Sequence, residues 1–502
     1  MRGGLVLAGA LLAVACEAAD PATPARAPAP APAAKAPFEL TFVSPRLTDT
    51  PSWGAAWTDA DLDGFPDLLL GRHKSDAWLL TNREGRLVRE PIHAFAEAAP
   101  GKAYYDRHNC AWGESNGDGR PDAYCVSGAE SGTGTGPNQL LLGSGAGLVE
   151  ATPAVLLEER SRGRSVNWLD YDTDGDLDIF VGNEYLAGSP NALYTRTPGG
   201  YVKEPVGVET TMATVSSSWA DWDFDGDPDL VALGHGHRPT HVYENLDGTF
   251  REVDMPPLTG REWLSVAWAD FDHDEDLDAL LTGIERAVVA TNDDGRFHVE
   301  ERLPLEAGRQ AVWLDLENDG DDDIFVVQGR PGDPPSDDPP FPRARDVPDL
   351  LFTNHGGSFS VTKRFRSEDG AGNGDSVAVG DVDRDGRLDL IVTNGYLRDR
   401  GPVLFARNTS ESQNWAALEL VGSDLNPHGY GATLRVRASR PWIVPVTDGV
   451  SWHSQSETGH LVIGLGAEKQ LPIEVVWGDG STDCGVLRHG VTLKVRAGGS
   501  PC

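Results

Sequence analysis

Positive charge is what this sequence has least of: 42 Lys and Arg stand against 78 Asp and Glu, a formal charge of -36. A polyanion of that size is repelled by phosphate backbones and anionic lipid headgroups, which argues against nucleic acid and direct membrane-surface binding. Cations are its natural counter-partners. The apolar stretch near the start, Leu5 to Ala15, is too short to span a bilayer. Cysteine is scarce, five in 502 residues. Signatures of chemistry are missing too: there is no nucleophile elbow and no zinc-binding helix, so no reaction class is indicated. What is present is a 39% hydrophobic share, enough for buried cores. The length exceeds one ordinary core, which implies two folded units or one repeat array with an added module.

Arg2, then Leu5 to Ala15, ending Ala13-Val14-Ala15-Cys16, reads as an export signal over residues 1–15. Small residues directly before a cysteine resemble the lipobox of bacterial lipoproteins. That implies acylation of Cys16 and a lipid anchor, in an exported protein of the outer membrane, periplasm or cell surface. The alternative is a plain secretory signal cut near Ala15 or Ala19. The Pro/Ala-rich segment that follows the cysteine, to residue 36, favours extended conformations and acts as a spacer. In an oxidising compartment the other four cysteines, falling as Cys110 with Cys125 and Cys484 with Cys502, are expected as disulfides, with buried free thiols as the alternative.

One acidic unit recurs seven times. Its alternate positions are Asp59, Asp61, Asp63, Phe65 and Asp67; Glu114, Asn116, Asp118, Arg120 and Asp122; Asp170, Asp172, Asp174, Asp176 and Asp178; Asp221, Asp223, Asp225, Asp227 and Asp229. Then come Asp270, Asp272, Asp274, Asp276 and Asp278; Asp315, Glu317, Asp319, Asp321 and Asp323; Asp381, Asp383, Asp385, Arg387 and Asp389. This is the pattern a hard cation requires. Side-chain oxygens at positions one, three and five converge, glycine at six permits the bend, residue seven offers its carbonyl, and the ninth carboxylate closes the site bidentately. Calcium, up to one ion per repeat, is the expected cofactor. No thiolate or imidazole occupies a ligand position, which excludes transition metals. An acidic solvated turn without metal is the alternative, but packing so many carboxylates into one turn is strongly repulsive. Glu275 stands where the Asp270 loop should have glycine, so that loop is expected to bind weakest.

Apolar runs flank each loop, as in Ser265-Val-Ala-Trp268 before and Ile179-Phe-Val181 after, giving two buried strands. Asn and Gly among alternating apolar residues, as in His241 to Phe250, then give an outer hairpin. The result is a four-stranded propeller blade. After the last loop only one outer strand follows, Val403 to Asn408, and Phe38 to Phe42 is available to complete that blade and shut the ring. The Trp two residues before six of the loops reads as blade-to-blade core, with a sugar-stacking platform as the alternative.

These loops, with Asn and Gly-x-Phe hairpins, resemble the FG-GAP/VCBS repeats of integrin-α-type propellers. From Asn414 on, Asn414 to Leu420, Asn426 to Ala432, Gly449-Val-Ser-Trp-His-Ser-Gln455 and Val476 to Gly480 resemble the ASPIC/UnbV domain, and together the halves are similar to the cartilage acidic protein family. The resemblance implies an all-β chain: a seven-bladed propeller over 37–412 and a small C-terminal domain over 413–502, where alternation alone gives strands at 434–436, 473–476 and 493–495 and so a β-sandwich-like unit. It also implies that the metal hairpins share one face. Tyr105, His108, Arg162, Arg164, His235, His237, Arg261 and Trp263 then collect on the other, as a ligand face for a protein or an acidic glycan. The expected function is extracytoplasmic binding or adhesion. A propeller-fold polysaccharide lyase or hydrolase, or an envelope scaffold, are the alternatives.

Overall fold

A computed structural model describes residues 40–42, 52–72, 77–90, 107–128, 137–145, 147–158, 161–184, 189–210, 213–234, 238–259, 263–329, 347–365, 374–394 and 403–502. The chain divides into Met1–Pro37 and Phe38–Cys502, and every described residue lies in the second unit. The export signal, Cys16 and the spacer therefore lie outside the described residues.

Each acidic loop joins two antiparallel strands. In the third repeat Gly163–Leu169 enters the loop and Asp178–Asn183 leaves it, with Leu169 opposite Asp178 and Val166 opposite Val181. Every residue of both strands is buried, which explains why they read as continuous rather than alternating apolar runs. A second hairpin, Ala192–Thr197 and Gly200–Glu204, completes the sheet and faces solvent with its last strand. Among the described residues there are seven such four-stranded arrays. Their first strands touch in sequence, and Gly374–Gly380 of the last touches Ser52–Thr58 of the first, so the blades form a closed ring. Closure is by strand pairing: Leu40–Phe42 pairs antiparallel with Leu404–Asn408 and supplies the fourth strand of the last blade. The fold is an all-β propeller.

The recurring tryptophans are core. Trp57, Trp112 and Trp168 are buried, and the indole N–H groups of Trp112, Trp168 and Trp313 donate to the carbonyls of Ala56, Ala111 and Ala267 on the preceding blade. Gly113 leaves room for this packing, since a Cβ there would sit 2.2 Å from the Trp168 ring. Cys110 and Cys125, directly opposite on adjacent strands of the second blade, are disulfide-bonded, and so are Cys484 and Cys502.

The C-terminal residues form two small sheets. Asn414–Val421 lies between Leu461–Gly466 and Thr492–Arg496, and Thr433–Val436 lies between Trp442–Pro445 and Gln470–Val476, with Thr482–Arg488 outside. The strands expected at 434–436, 473–476 and 493–495 are all there. What sequence reading did not anticipate is a hairpin, Val450–Ser451 and Ser454–Gln455, that leaves these sheets and joins the first blade, with Gln455 parallel to Ala56. It reaches six of the seven inner strands through Ala55, Trp112, Arg164, Ser216, Val266 and Ser376. The physical cause is the open inner edge of each blade, whose backbone groups need partners once water is excluded. Residues 450–455 are accordingly buried, Trp452, His453 and Ser454 almost completely.

Candidate metal centres

Each loop is shaped by its own carboxylates. The first-position side chain accepts from backbone N–H groups ahead of it: Asp59 from Asp63 and Gly64 at 2.9 and 2.8 Å, Asp315 from Asp319 and Gly320 at 3.0 and 2.8 Å. In every loop the fifth-position side chain accepts from the N–H two residues on, as Asp174 does from Asp176 at 3.0 Å. Two positions take left-handed backbone, the sixth and also the fourth. Gly175 lies at φ 89° and Thr173 at φ 55°. Glu275 holds the same left-handed region, at φ 74°, so the Asp270 loop keeps the shape of the others, and its carboxylate pairs with Arg437.

Carboxylate oxygens converge within 4.8 Å of one another in five loops: Asp59, Asp61 and Asp67; Asp170, Asp172 and Asp178; Asp221, Asp223 and Asp225; Asp270, Asp272 and Asp278; Asp381, Asp383 and Asp385. Several of these oxygens are buried with no protein donor, among them one each on Asp170, Asp172, Asp221, Asp272 and Asp383. Buried carboxylates without donors are costly, and a shared cation is the partner the donor set fits. Desolvation with like-charge neighbours drives the carboxyls up, to about 7 at Asp170 and Asp221 and about 9 at Asp178 and Asp229. Among the described residues, no such group of three forms in the Glu114 and Asp315 loops.

The ninth position corrects the expectation of a bidentate ligand. In all seven repeats one oxygen of this Asp accepts the N–H of the last or next-to-last residue of the facing strand: Asp67 from Asn82 at 2.7 Å, Asp122 from Gly143 at 2.8 Å, Asp178 from Arg196 at 2.6 Å. Asp229, Asp278, Asp323 and Asp389 do the same with Asn245, Asn292, Asn354 and Asn408. Only the second oxygen faces the loop, so this Asp is a clasp between strands that offers a cation one atom.

Sequence reading missed a further role at these strand ends, where the asparagines look like turn residues. Asn82, Asn245, Asn292 and Asn408 each donate from Nδ2 to the second-residue carbonyl of the preceding blade's loop, Val382, Tyr171, Trp222 and Leu316, at 2.8 to 2.9 Å. In the third blade Arg196 reaches the equivalent carbonyl of Ser115 at 3.1 Å. These bonds stitch successive loops together at five junctions of the ring. The signal was available in sequence as an Asn at a fixed place before each Gly-x-Phe turn.

The C-terminal sheets dock on this loop face. Ile443 N–H donates to Asp270 at 2.9 Å, Gln413 N–H to the Glu317 carbonyl at 2.7 Å, and Ser423 Oγ to the Gly175 carbonyl at 2.6 Å. The residues expected on the opposite face fare differently. Tyr105, His235, His237 and Arg261, with the side chain of His108, lie outside the described residues. Arg164 is 3% exposed and bonds Glu184 at 2.7 Å, and Arg162 pairs with the same carboxylate at 3.0 Å. Trp263 is 2% exposed and donates to the Pro257 carbonyl. The expectation that Arg164 and Trp263 present an open binding surface is corrected: one neutralises a buried acid, the other fills the core.

A family model described as FG-GAP-like repeat matches residues 115–181, 221–281 and 315–392, each stretch spanning two successive acidic loops. No curated protein matches the sequence. Among solved structures, an Agrocybe aegerita lectin that recognises non-reducing terminal N-acetylglucosamine is 16% identical over 71% of this chain and 94% of its own, with a TM-score of 0.45. BBS1N, solved with ARL6DN, is 9% identical over 74% of this chain and 97% of its own, at 0.45. Saccharomyces cerevisiae Sqt1 is 10% identical over 75% of this chain and 99% of its own, at 0.43. The chain is a β-propeller carrying FG-GAP-like repeats.

Proposed function

We propose that this is a calcium-loaded binding or adhesion protein that works outside the cytoplasm, tethered through an acylated Cys16. The observation that carries the reading is the fivefold recurrence of converging carboxylates, four of the five loops having buried oxygens without a donor. Bound calcium would neutralise these groups, with Asp170, Asp172 and one oxygen of Asp178 typifying the side-chain ligands. Extracellular sites of this kind need only weak affinity, on the order of 0.1 to 1 mM. At tenfold excess over the dissociation constant each site contributes roughly 1.4 kcal/mol. A C-terminal unit of the ASPIC/UnbV kind covers much of the loop face, which favours the opposite face for a partner, a protein or an acidic glycan. Equilibrium dialysis at millimolar calcium tests the metal. Several ions per chain and a lower melting temperature in EGTA are expected, whereas no bound calcium overturns the reading. A glycan and surface-protein array probed with and without calcium tests the partner.

A further inference from the structure

The five loops whose carboxylates converge are not equally open. In the Asp170, Asp270 and Asp381 loops the first acid is buried and none of the converging acids is exposed, whereas Asp61 in the first loop and both Asp223 and Asp225 in the fourth are exposed. The loops themselves do not explain this, since all five take the same left-handed backbone at the fourth and sixth positions. Exposure follows the C-terminal residues instead, and each enclosed loop is hydrogen-bonded to them. Ser423 Oγ donates to the Gly175 carbonyl of the Asp170 loop at 2.6 Å. On the Asp270 loop, Ile443 N–H donates to Asp270 at 2.9 Å, Arg440 reaches the Asp272 carbonyl, and the Trp442 ring stacks on His273 at 5.3 Å. On the Asp381 loop, Glu457 accepts the Asp381 N–H at 3.1 Å and pairs with Arg384 at 2.7 Å. Trp415 lies so close to this loop that a Cβ on Gly386 would sit 1.9 Å from its ring.

Among the described residues, no hydrogen bond or ion pair joins either open loop to residues 413–502. The fourth loop meets them through apolar packing, with Phe224 against the cluster that holds Ile443. In the first loop Leu62, at the tip, is 52% exposed. An ion in an open loop can leave directly into water, but one beneath docked sheets must wait until they open locally. A cover slows entry and exit alike, so it shows in rate and not in affinity. Building on the calcium reading above, we propose that the C-terminal sheets are a cover that retains calcium in the Asp170, Asp270 and Asp381 loops, while ions in the Asp59 and Asp221 loops exchange with the medium. The retained ions act as part of the structure, and the other two follow the calcium concentration outside.

The test is isotope exchange at constant calcium, which leaves the fold undisturbed. The purified full chain is loaded with radioactive calcium on a filter and perfused with unlabelled calcium at the same concentration, and the label still bound is counted against time. An uncovered site with a dissociation constant on the order of 0.1 to 1 mM, filled at the diffusion limit, empties within about a millisecond. Expected are two ions per chain gone by the first time point and three lost in a phase at least about a hundredfold slower. Asp61→Asn combined with Asp223→Asn should remove the fast ions and leave the slow phase intact. Trp442→Ala, which uncovers His273, should speed one slow ion about tenfold at unchanged affinity. Ser423→Ala, at an exposed position that spares the core, should speed another about fivefold through its lost bond. Loss of every bound ion by the first time point overturns the proposal and leaves the calcium reading standing. The proposal also falls if the slow phase is indifferent to both cover variants, or disappears with Asp61 and Asp223. A chain that binds no calcium at all overturns both.

Discussion

In the first, fourth, fifth and seventh blades a single asparagine does the work of two connections. Asn245 donates to Tyr171 on the preceding blade and to Pro228 within its own, and accepts from Gly248 in its turn. Asn245→Ala strands a buried carbonyl and should cost about 2 to 3 kcal/mol, seen as a lower urea midpoint at constant slope; an unmoved midpoint would dismiss the stitch. The carboxylates make a second prediction at this scale. Without metal, Asp67 rises to about 7, Asp278 and Asp389 to about 8, and Asp178 and Asp229 to about 9, chiefly through desolvation. Folded values above the ordinary 3.8 mean that these groups favour folding fully at low pH and cease to do so as pH rises through 7 to 9. EGTA-treated protein should therefore melt higher at pH 5.5 than at pH 9, while calcium, which binds the ionised form and releases protons, flattens the profile. A metal-free melting temperature that climbs with pH would contradict this. The positions of these acids were legible in sequence because a nine-residue loop is a local object. That each ninth Asp turns one oxygen to a strand end some 14 to 31 residues away was not.

At the scale of elements, blades were readable and the axial hairpin was not, for one reason. A blade is built from neighbours in sequence, so apolar runs and turn residues announce it, and even the closing strand Leu40–Phe42 was inferable from a vacancy in the last blade. The hairpin Val450–Gln455 carries no periodicity of its own, and its partners lie up to 399 residues away. Its polar residues, Ser451, Ser454 and Gln455, look like a surface turn in sequence, yet they are buried because they satisfy inner-strand backbone. Gln455 holds both the N–H and the carbonyl of Trp112, at 2.7 and 3.1 Å. Gln455→Ala should cost about 2 to 4 kcal/mol by leaving both groups unpaired, and should speed hydrogen exchange of the Trp112 amide. Arg437→Ala, which removes a half-exposed ion pair on the same face, should change stability by less than about 1 kcal/mol. Unchanged exchange at Trp112 in the first variant would mean that the hairpin does not seat in solution.

For the whole molecule, these contacts make one cooperative body of what sequence reading divides near residue 412. One contiguous core runs from Tyr124, Val166 and Trp168 of the second and third blades to Leu418, Leu434 and Val495 of the C-terminal sheets. Asp448 is the hinge of that joint, accepting Trp168 N–H at 2.9 Å and Asn167 Nδ2 at 3.1 Å while capping its own hairpin through Val450 N–H. A ring closed by its own first strand and filled along its axis has no blade that can leave alone without exposing inner edges of its neighbours. Opposing this is the net charge of -36, much of it concentrated in the loops on one face, which favours expansion unless cations offset it. The two effects act on the same body, so calcium and the C-terminal sheets should stabilise jointly. Differential scanning calorimetry with calcium should show a single transition, and EGTA should move that transition down as a whole instead of splitting it. Two transitions in calcium, with the C-terminal sheets melting apart from the propeller, would show that the axial hairpin adds too little to couple them.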